Sequence, residues 1–158
     1  MDGARLCGSC GLCCDGTIFD GVPIDGSLLA DARSRALPIA VRPGGPELRQ
    51  PCPHHGADGL CAVYAARPAE CARFECALLR RLRAGDVTDD DALARVAEAR
   101  ALAASLRARL GRGDVWQAFD AYVQDAHADP AVMLEAGALA RLLAEHFEPT
   151  FWSRGKGG

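Results

Sequence analysis

Eight cysteines in a chain of 158 residues constrain this sequence more than any other feature, because they fall into two groups instead of being scattered. The first group reads Cys7-x-x-Cys10-x-x-Cys13-Cys14, and the second is Cys52, Cys61, Cys71 and Cys76. The N-terminal run Met1-Asp2-Gly3-Ala4-Arg5-Leu6 lacks the apolar stretch that directs export. The expectation is a cytoplasmic protein in a reducing compartment, where structural disulfides are rare. For thiols at this density, metal ligation is then the reading, with all eight as ligands.

A Cys-x-x-Cys turn sets two sulfurs on one side of a tight loop, close enough to chelate one ion or two corners of a cluster. Gly8 and Gly11 are expected to help, since amides that fold over sulfur often need φ > 0. The run through Cys13 has a spacing similar to that of the ferredoxins. In the second group, Pro51-Cys52-Pro53 is a rigid, extended entry. His54 and His55 follow, then a turn from Gly56 to Gly59. Arg67-Pro68 opens a helix, with Pro68 in its first turn, that carries Cys71 and Cys76. Neighbours such as Cys13 and Cys14 point apart. Cys71 and Cys76 lie about 140° apart around a helix, so they face different ways unless the helix breaks. The simplest arrangement is two centres, or one dinuclear centre, each drawing on both groups.

Soft thiolates select Zn²⁺ or iron–sulfur over hard cations. Spacing does not decide between two Cys₄ zinc sites, one [4Fe–4S] cluster with one zinc, and two clusters. Reactive thiols and buried apolar cysteines are the alternatives, but reactive thiols need a base and buried ones do not cluster. His54 and His55 are either metal neighbours or solvated loop residues. Arg67 and Arg73 flank Cys71 and either offset thiolate charge or pair with Glu70 or Glu75. Arg80, Arg81 and Arg83 near a helix C-terminus read as a solvated face.

The remainder predicts an α+β fold, mostly α. An irregular cysteine-cluster domain over residues 1–85 is followed by a helical extension over 86–158, packed on it. Thr17-Ile18-Phe19 and Ile39-Ala40-Val41 fit short strands, and Ser27 to Arg35 a brief helix. Thr88 or Asp89 caps a long helix with an apolar stripe at Leu93, Val96, Ala99, Ala103, Leu106 and Leu110, ended by Gly111 and Gly113. A second helix buries Val115, Trp116, Phe119, Tyr122, Val123 and Ala126. A third starts at Pro130 and buries Met133, Leu134, Gly137, Leu139, Leu142, Leu143 and Phe147. The tail Ser153 to Gly158 is expected to fray. The net charge of −3 offers no general basic surface for nucleic acid or anionic lipid. No segment is apolar for long enough to span a bilayer. A protein partner stays open.

Taken together, Cys7-x-x-Cys10-x-x-Cys13-Cys14, Gln50-Pro51-Cys52, and Cys61 through Tyr64, Arg67-Pro68, Cys71, Arg73-Phe74 and Cys76 resemble the bacterial YkgJ-type cysteine-cluster family. That family is described as a zinc- or iron-chelating domain with a CxxCxxCC signature, and the resemblance covers about residues 7–80. It implies metal chelation by the eight cysteines, with Tyr64, Arg67 and Pro68 shaping the second segment. A similar cluster occurs in flagellin lysine N-methylases, so a metal-dependent protein-modifying enzyme is the alternative. His54, His55 and Tyr64 are the acid–base groups near the cluster in that case. There is no glycine-rich nucleotide loop or nucleophile–base pair. His54 and His55 depart from the family, which usually has apolar residues after Cys-Pro, and the helical tail carries no family motif.

Overall fold

A computed structural model describes residues 3–111, 113–124 and 129–147. Ala126 and the tail Ser153 to Gly158 lie outside the described residues. The chain is mostly α with a small sheet: α1 (Gly3–Cys10), β1 (Gly21–Pro23), α2 (Leu29–Ser34), β2 (Ile39–Arg42), β3 (Gly45–Arg49), α3 (Ala69–Arg73), α4 (Ala77–Ala84), α5 (Asp89–Leu110), α6 (Val115–Tyr122) and α7 (Pro130–His146). The sheet is antiparallel in the order β1-β3-β2. Val22 and Leu48 are paired across β1 and β3 and both are buried, so this small sheet lays one face on the core.

The long helix α5 organises the remainder. Thr88 caps it by accepting from the Asp91 amide at 3.1 Å, and Asp89, Asp90 and Asp91 meet the positive end of its dipole. Its C-terminus stops at Gly111, whose φ of 106° a side chain would resist. The buried stripe is Ala92, Val96, Ala99, Ala103 and Leu106, and α1, α4, α6 and α7 all pack against this helix. Three alanines in that stripe leave room for neighbouring backbones to come close. Leu93, expected on the buried side, is 36% exposed, and Ala92 takes its place. Leu110 is only partly buried, since the stripe drifts off the core at the helix end.

α6 and α7 begin at aspartate caps. Asp114 accepts from the amides of Trp116 and Gln117, and Asp129 accepts from Ala131, with Pro130 at the first helical position. In α7 the first apolar turn is displaced by one position. Val132 and Ala136 are buried, whereas Met133, Leu134 and Gly137 are exposed. The later positions Leu139, Leu142, Leu143 and Phe147 are buried as the spacing predicts. On α6, Val115 and Trp116 are buried, Phe119 and Tyr122 partly so, and Val123 faces solvent.

Thr17-Ile18-Phe19 is not a strand. The segment is a buried bend, with Thr17, Ile18 and Phe19 all inside, and β1 starts only at Gly21. Its Thr17 and Ile18 amides donate locally, to the Asp15 carboxylate and the Leu12 carbonyl, and the helical half supplies further partners. Trp116 donates its indole N–H to the Thr17 carbonyl at 2.8 Å, and Arg107 donates to the Thr17 hydroxyl, the Asp15 carboxylate and the Asp15 carbonyl. These side-chain partners replace a strand ladder. The Ser27–Arg35 helix is present as a 3₁₀ turn at Gly26–Leu28 followed by α2. Among the described residues, no helix is long and apolar enough to cross a membrane.

Leu106 is fully buried on the central face of α5. Leu106→Ala is expected to lower stability by about 2–5 kcal/mol, read as a lower guanidinium midpoint with unchanged m.

Candidate metal centre

The first cysteine segment is helical, not a tight loop. Cys7 and Cys10 sit on α1 at i and i+3, which sets them on one helix face. Gly8 is an ordinary helical residue, so only Gly11, at φ 71°, uses the left-handed freedom expected of both glycines. There the helix stops and the chain wraps, with the amides of Cys14 and Asp15 donating to the Gly11 carbonyl. Cys13 and Cys14 leave that turn in different directions, as neighbouring residues do.

The second segment closes onto this turn. The Cys52 amide donates to the Cys14 carbonyl at 2.7 Å, and a side chain at Gly11 would collide with the Gly59 carbonyl. Between Cys52 and Cys61 the loop pairs with itself: His55 bridges to Cys61, and Ala62 donates to the His54 carbonyl at 2.8 Å. Cys71 lies on the five-residue α3, and Pro68 is the residue before that helix, not inside its first turn. The helix then breaks. Phe74 turns extended at ψ 129° and its ring packs edge-on against Phe19, with centroids 5.1 Å apart. Cys76 follows as the N-cap residue of α4, whose start is pinned by the Ala77 amide donating to Phe147. Cys71 and Cys76 therefore belong to two different helices.

All eight cysteines are free and partly buried, and all line one cavity of about 160 Å³ together with His54, Tyr64, Arg67 and Gln50. Their mutual influence sorts them into two sets. Cys76 bears electrostatically on Cys7, Cys10 and Cys13. Cys52, Cys61 and Cys71 bear on Cys14, and Cys52 and Cys61 on Cys71. The sets meet at the adjacent pair Cys13 and Cys14. Each set thus takes residues from both sequence groups.

Burial and like charge work against ionisation here. Burial, aided by Cys76 and Cys7 and opposed by the Leu12 amide, pushes the Cys10 thiol up to about 12. Burial with Cys52 and Cys61 pushes Cys71 up to about 11, against the pull of Arg67. Cys13 and Cys14 are raised strongly for the same reasons. Cys7, Cys52 and Cys76 are raised as well, burial leading in each case. The counterweights are specific: the Tyr64 hydroxyl, Arg67 and Arg83 for Cys7, the His54 amide for Cys52, and the Leu78 and Leu79 amides with Arg80 for Cys76. Amides and guanidinium groups aimed at sulfur favour thiolate, which is what a cation in the cavity would require.

The donor set fits a soft metal in its chemistry. In its geometry it is a ring of thiols around a space: among the described residues, no group of three or more His, Cys, Asp or Glu is disposed to hold a metal ion as it stands. Arg67 lies over the Tyr64 ring at 3.9 Å and donates to the Tyr64 carbonyl, which fixes the one guanidinium that bears on both Cys7 and Cys71. Arg73 instead pairs with Glu70 at 3.3 Å and is well exposed, the ordinary salt-bridge role. Arg83 is not merely solvated, since it lines the cavity while pairing with Glu75. His54 lines the cavity, and the buried Nε2 of His55 has no hydrogen-bond partner among the described residues.

Two residues escaped the sequence reading as site components. Gln50 is 7% exposed, lines the cavity, and its Oε1 has no hydrogen-bond partner among the described residues. Arg100, on α5, donates to the Ser9 carbonyl at 2.7 Å and to the Asp58 carbonyl at 3.0 Å, tying α1 to the second loop. Gln50 carried a signal only as the residue before Pro51-Cys52, and Arg100 carried none. Compared with known proteins, the chain matches no family model, no curated protein and no solved structure.

The raised thiols set a pH dependence for the metal-free, reduced chain. Below the ordinary thiol value of 9.0 they are protonated in both states. Above it the unfolded chain ionises while the fold resists, so stability falls as pH rises through about 11 and 12. The urea midpoint is expected to drop steadily from pH 9 upward, and to drop less steeply in Cys10→Ser.

Proposed function

We propose that this chain is a thiolate metalloprotein whose eight cysteines make two adjoining four-thiolate centres. One takes Cys7, Cys10, Cys13 and Cys76, and the other Cys14, Cys52, Cys61 and Cys71. The observation that carries the reading is the gathering of all eight thiols round one cavity in two sets of four, each set crossing between segments distant in sequence. Buried thiols without a metal have no reason to collect where their charges would repel. The amides facing Cys10, Cys52 and Cys76, and the guanidinium groups of Arg67 and Arg83, supply the donors and positive charge that a thiolate-bound metal needs.

Thiolate softness favours Zn²⁺ or an iron–sulfur centre over hard cations. Bound there, the metal would tie α1, the 52–61 loop, α3 and the start of α4 into one unit, so metal binding and folding of this half are coupled. The resemblance to the cysteine-cluster family, which rests on the motif residues alone, points the same way.

Metal and acid-labile sulfide analysis of protein purified without oxygen tests this. The expected result is zinc, or iron with sulfide, sufficient for two centres. Cys76→Ser should lose about half the metal, and complete chelation should unfold the cysteine-bearing half. A chain that carries no stoichiometric metal, or keeps its fold unchanged when stripped, would overturn the reading.

A further inference from the structure

The two sets of cysteines are carried by different kinds of structure. Cys7 and Cys10 stand on α1 and Cys76 at the head of α4, and α1 packs against both α4 and α5. The residues around them, Leu6, Leu12, Leu78 and Leu79, are buried. In the other set, Cys52 and Cys61 belong to a loop and Cys71 to a single short turn of helix. From residue 51 to residue 69 no residue is buried. Its apolar hold on the core is the partly buried Cys52, and a segment so thinly anchored belongs to the low end of local stability.

Polar contacts add to this hold, beginning with Arg35, which donates to the Ala66 carbonyl. Cys52 bonds Cys14 through the backbone, and Arg100 bonds Asp58 on the loop and Ser9 on α1 at the same time. Gly59 accommodates this latch, since a Cβ there would lie 2.5 Å from Arg100 Nη2, and its φ is 79°. Without the latch, the loop between Cys52 and Cys61 loses its tie to α5 and α1.

Resting on the two-centre reading above, we infer that the centres are unequal. The one formed by Cys14, Cys52, Cys61 and Cys71 is an exchange site that passes its metal to external thiol ligands, with Arg100 as its latch. The one formed by Cys7, Cys10, Cys13 and Cys76 is permanent and holds the fold. The transfer is ligand exchange. An incoming thiol gives up its proton and its sulfur takes a position on the metal, while a displaced cysteine thiolate takes up a proton. No electron moves.

Full-length reduced chain loaded with Co²⁺ and then challenged with excess glutathione tests this, with the thiolate-to-Co²⁺ absorption as the readout. Half the absorption should disappear early and half persist. Arg100→Ala should speed the early half about tenfold, the effect of losing a hydrogen-bonded latch, and leave the late half alone. Gly59→Ala should act in the same direction, which guards against a misfolded Arg100 variant, and Cys61→Ser should show only the late half. Loss of both halves together, or equal acceleration of both by Arg100→Ala, would overturn the inference while leaving two centres standing. Absence of any thiolate-to-Co²⁺ absorption would overturn the metal reading itself and the inference with it.

Discussion

Crowding eight thiols into one cavity is the constraint to which the rest of this structure answers. Ionised and empty-handed, such a set would repel itself in a low-dielectric setting, and burial accordingly holds the thiols toward their protonated form. The surroundings are arranged for the opposite state. Backbone amides at Leu12, His54, Leu78 and Leu79 face sulfur atoms, and Arg67 bears on both sets at once. A shell that favours thiolate around an interior that disfavours it is what the proposed metal would balance, and that is the physical core of the proposed function.

The helical half takes part in this arrangement directly. Arg100 reaches from α5 to both cysteine segments, and Arg107, two turns further along the same face, fixes the Asp15–Thr17 bend that follows Cys14. Val96 and Phe147 line the same cavity as the thiols, and Phe147 also accepts the Ala77 amide beside Cys76. One apolar cluster runs from Leu6 and Leu12 through α5 to α7. The cysteine framework is therefore positioned by residues distant in sequence, and its loop face draws on α5 through Arg100.

The pattern made some of this legible in advance. The Thr88 cap, the Asp129–Pro130 start and the later apolar positions of α7 follow from local chemistry, and local chemistry was enough. The separation of Cys13 from Cys14 followed from chain geometry, and the opposed faces of Cys71 and Cys76 hinged on a break in the helix that the structure supplies. That break at Phe74 needed the Phe19 ring as a partner, a contact across fifty-odd residues. The Cys-x-x-Cys spacing of the first segment predicts a tight loop, and glycine and cysteine are poor helix formers, yet packing against α4 and α5 makes it the helix α1. Thr17–Phe19 has the composition of a strand, yet Trp116 and Arg107 satisfy its polar groups as a bend. Arg100 left no local mark, and Gln50 only its place before Pro51-Cys52, since their roles exist only once distant segments meet.

The most direct measurement is anomalous diffraction at the metal edge from crystals of the anaerobically purified, metal-loaded chain, which assigns each sulfur to its metal. Two separate centres are expected, Cys7, Cys10, Cys13 and Cys76 on one and Cys14, Cys52, Cys61 and Cys71 on the other. A single ion held by Cys7, Cys10, Cys13 and Cys14 together would contradict the sorting of ligands across the two segments, and with it the central claim.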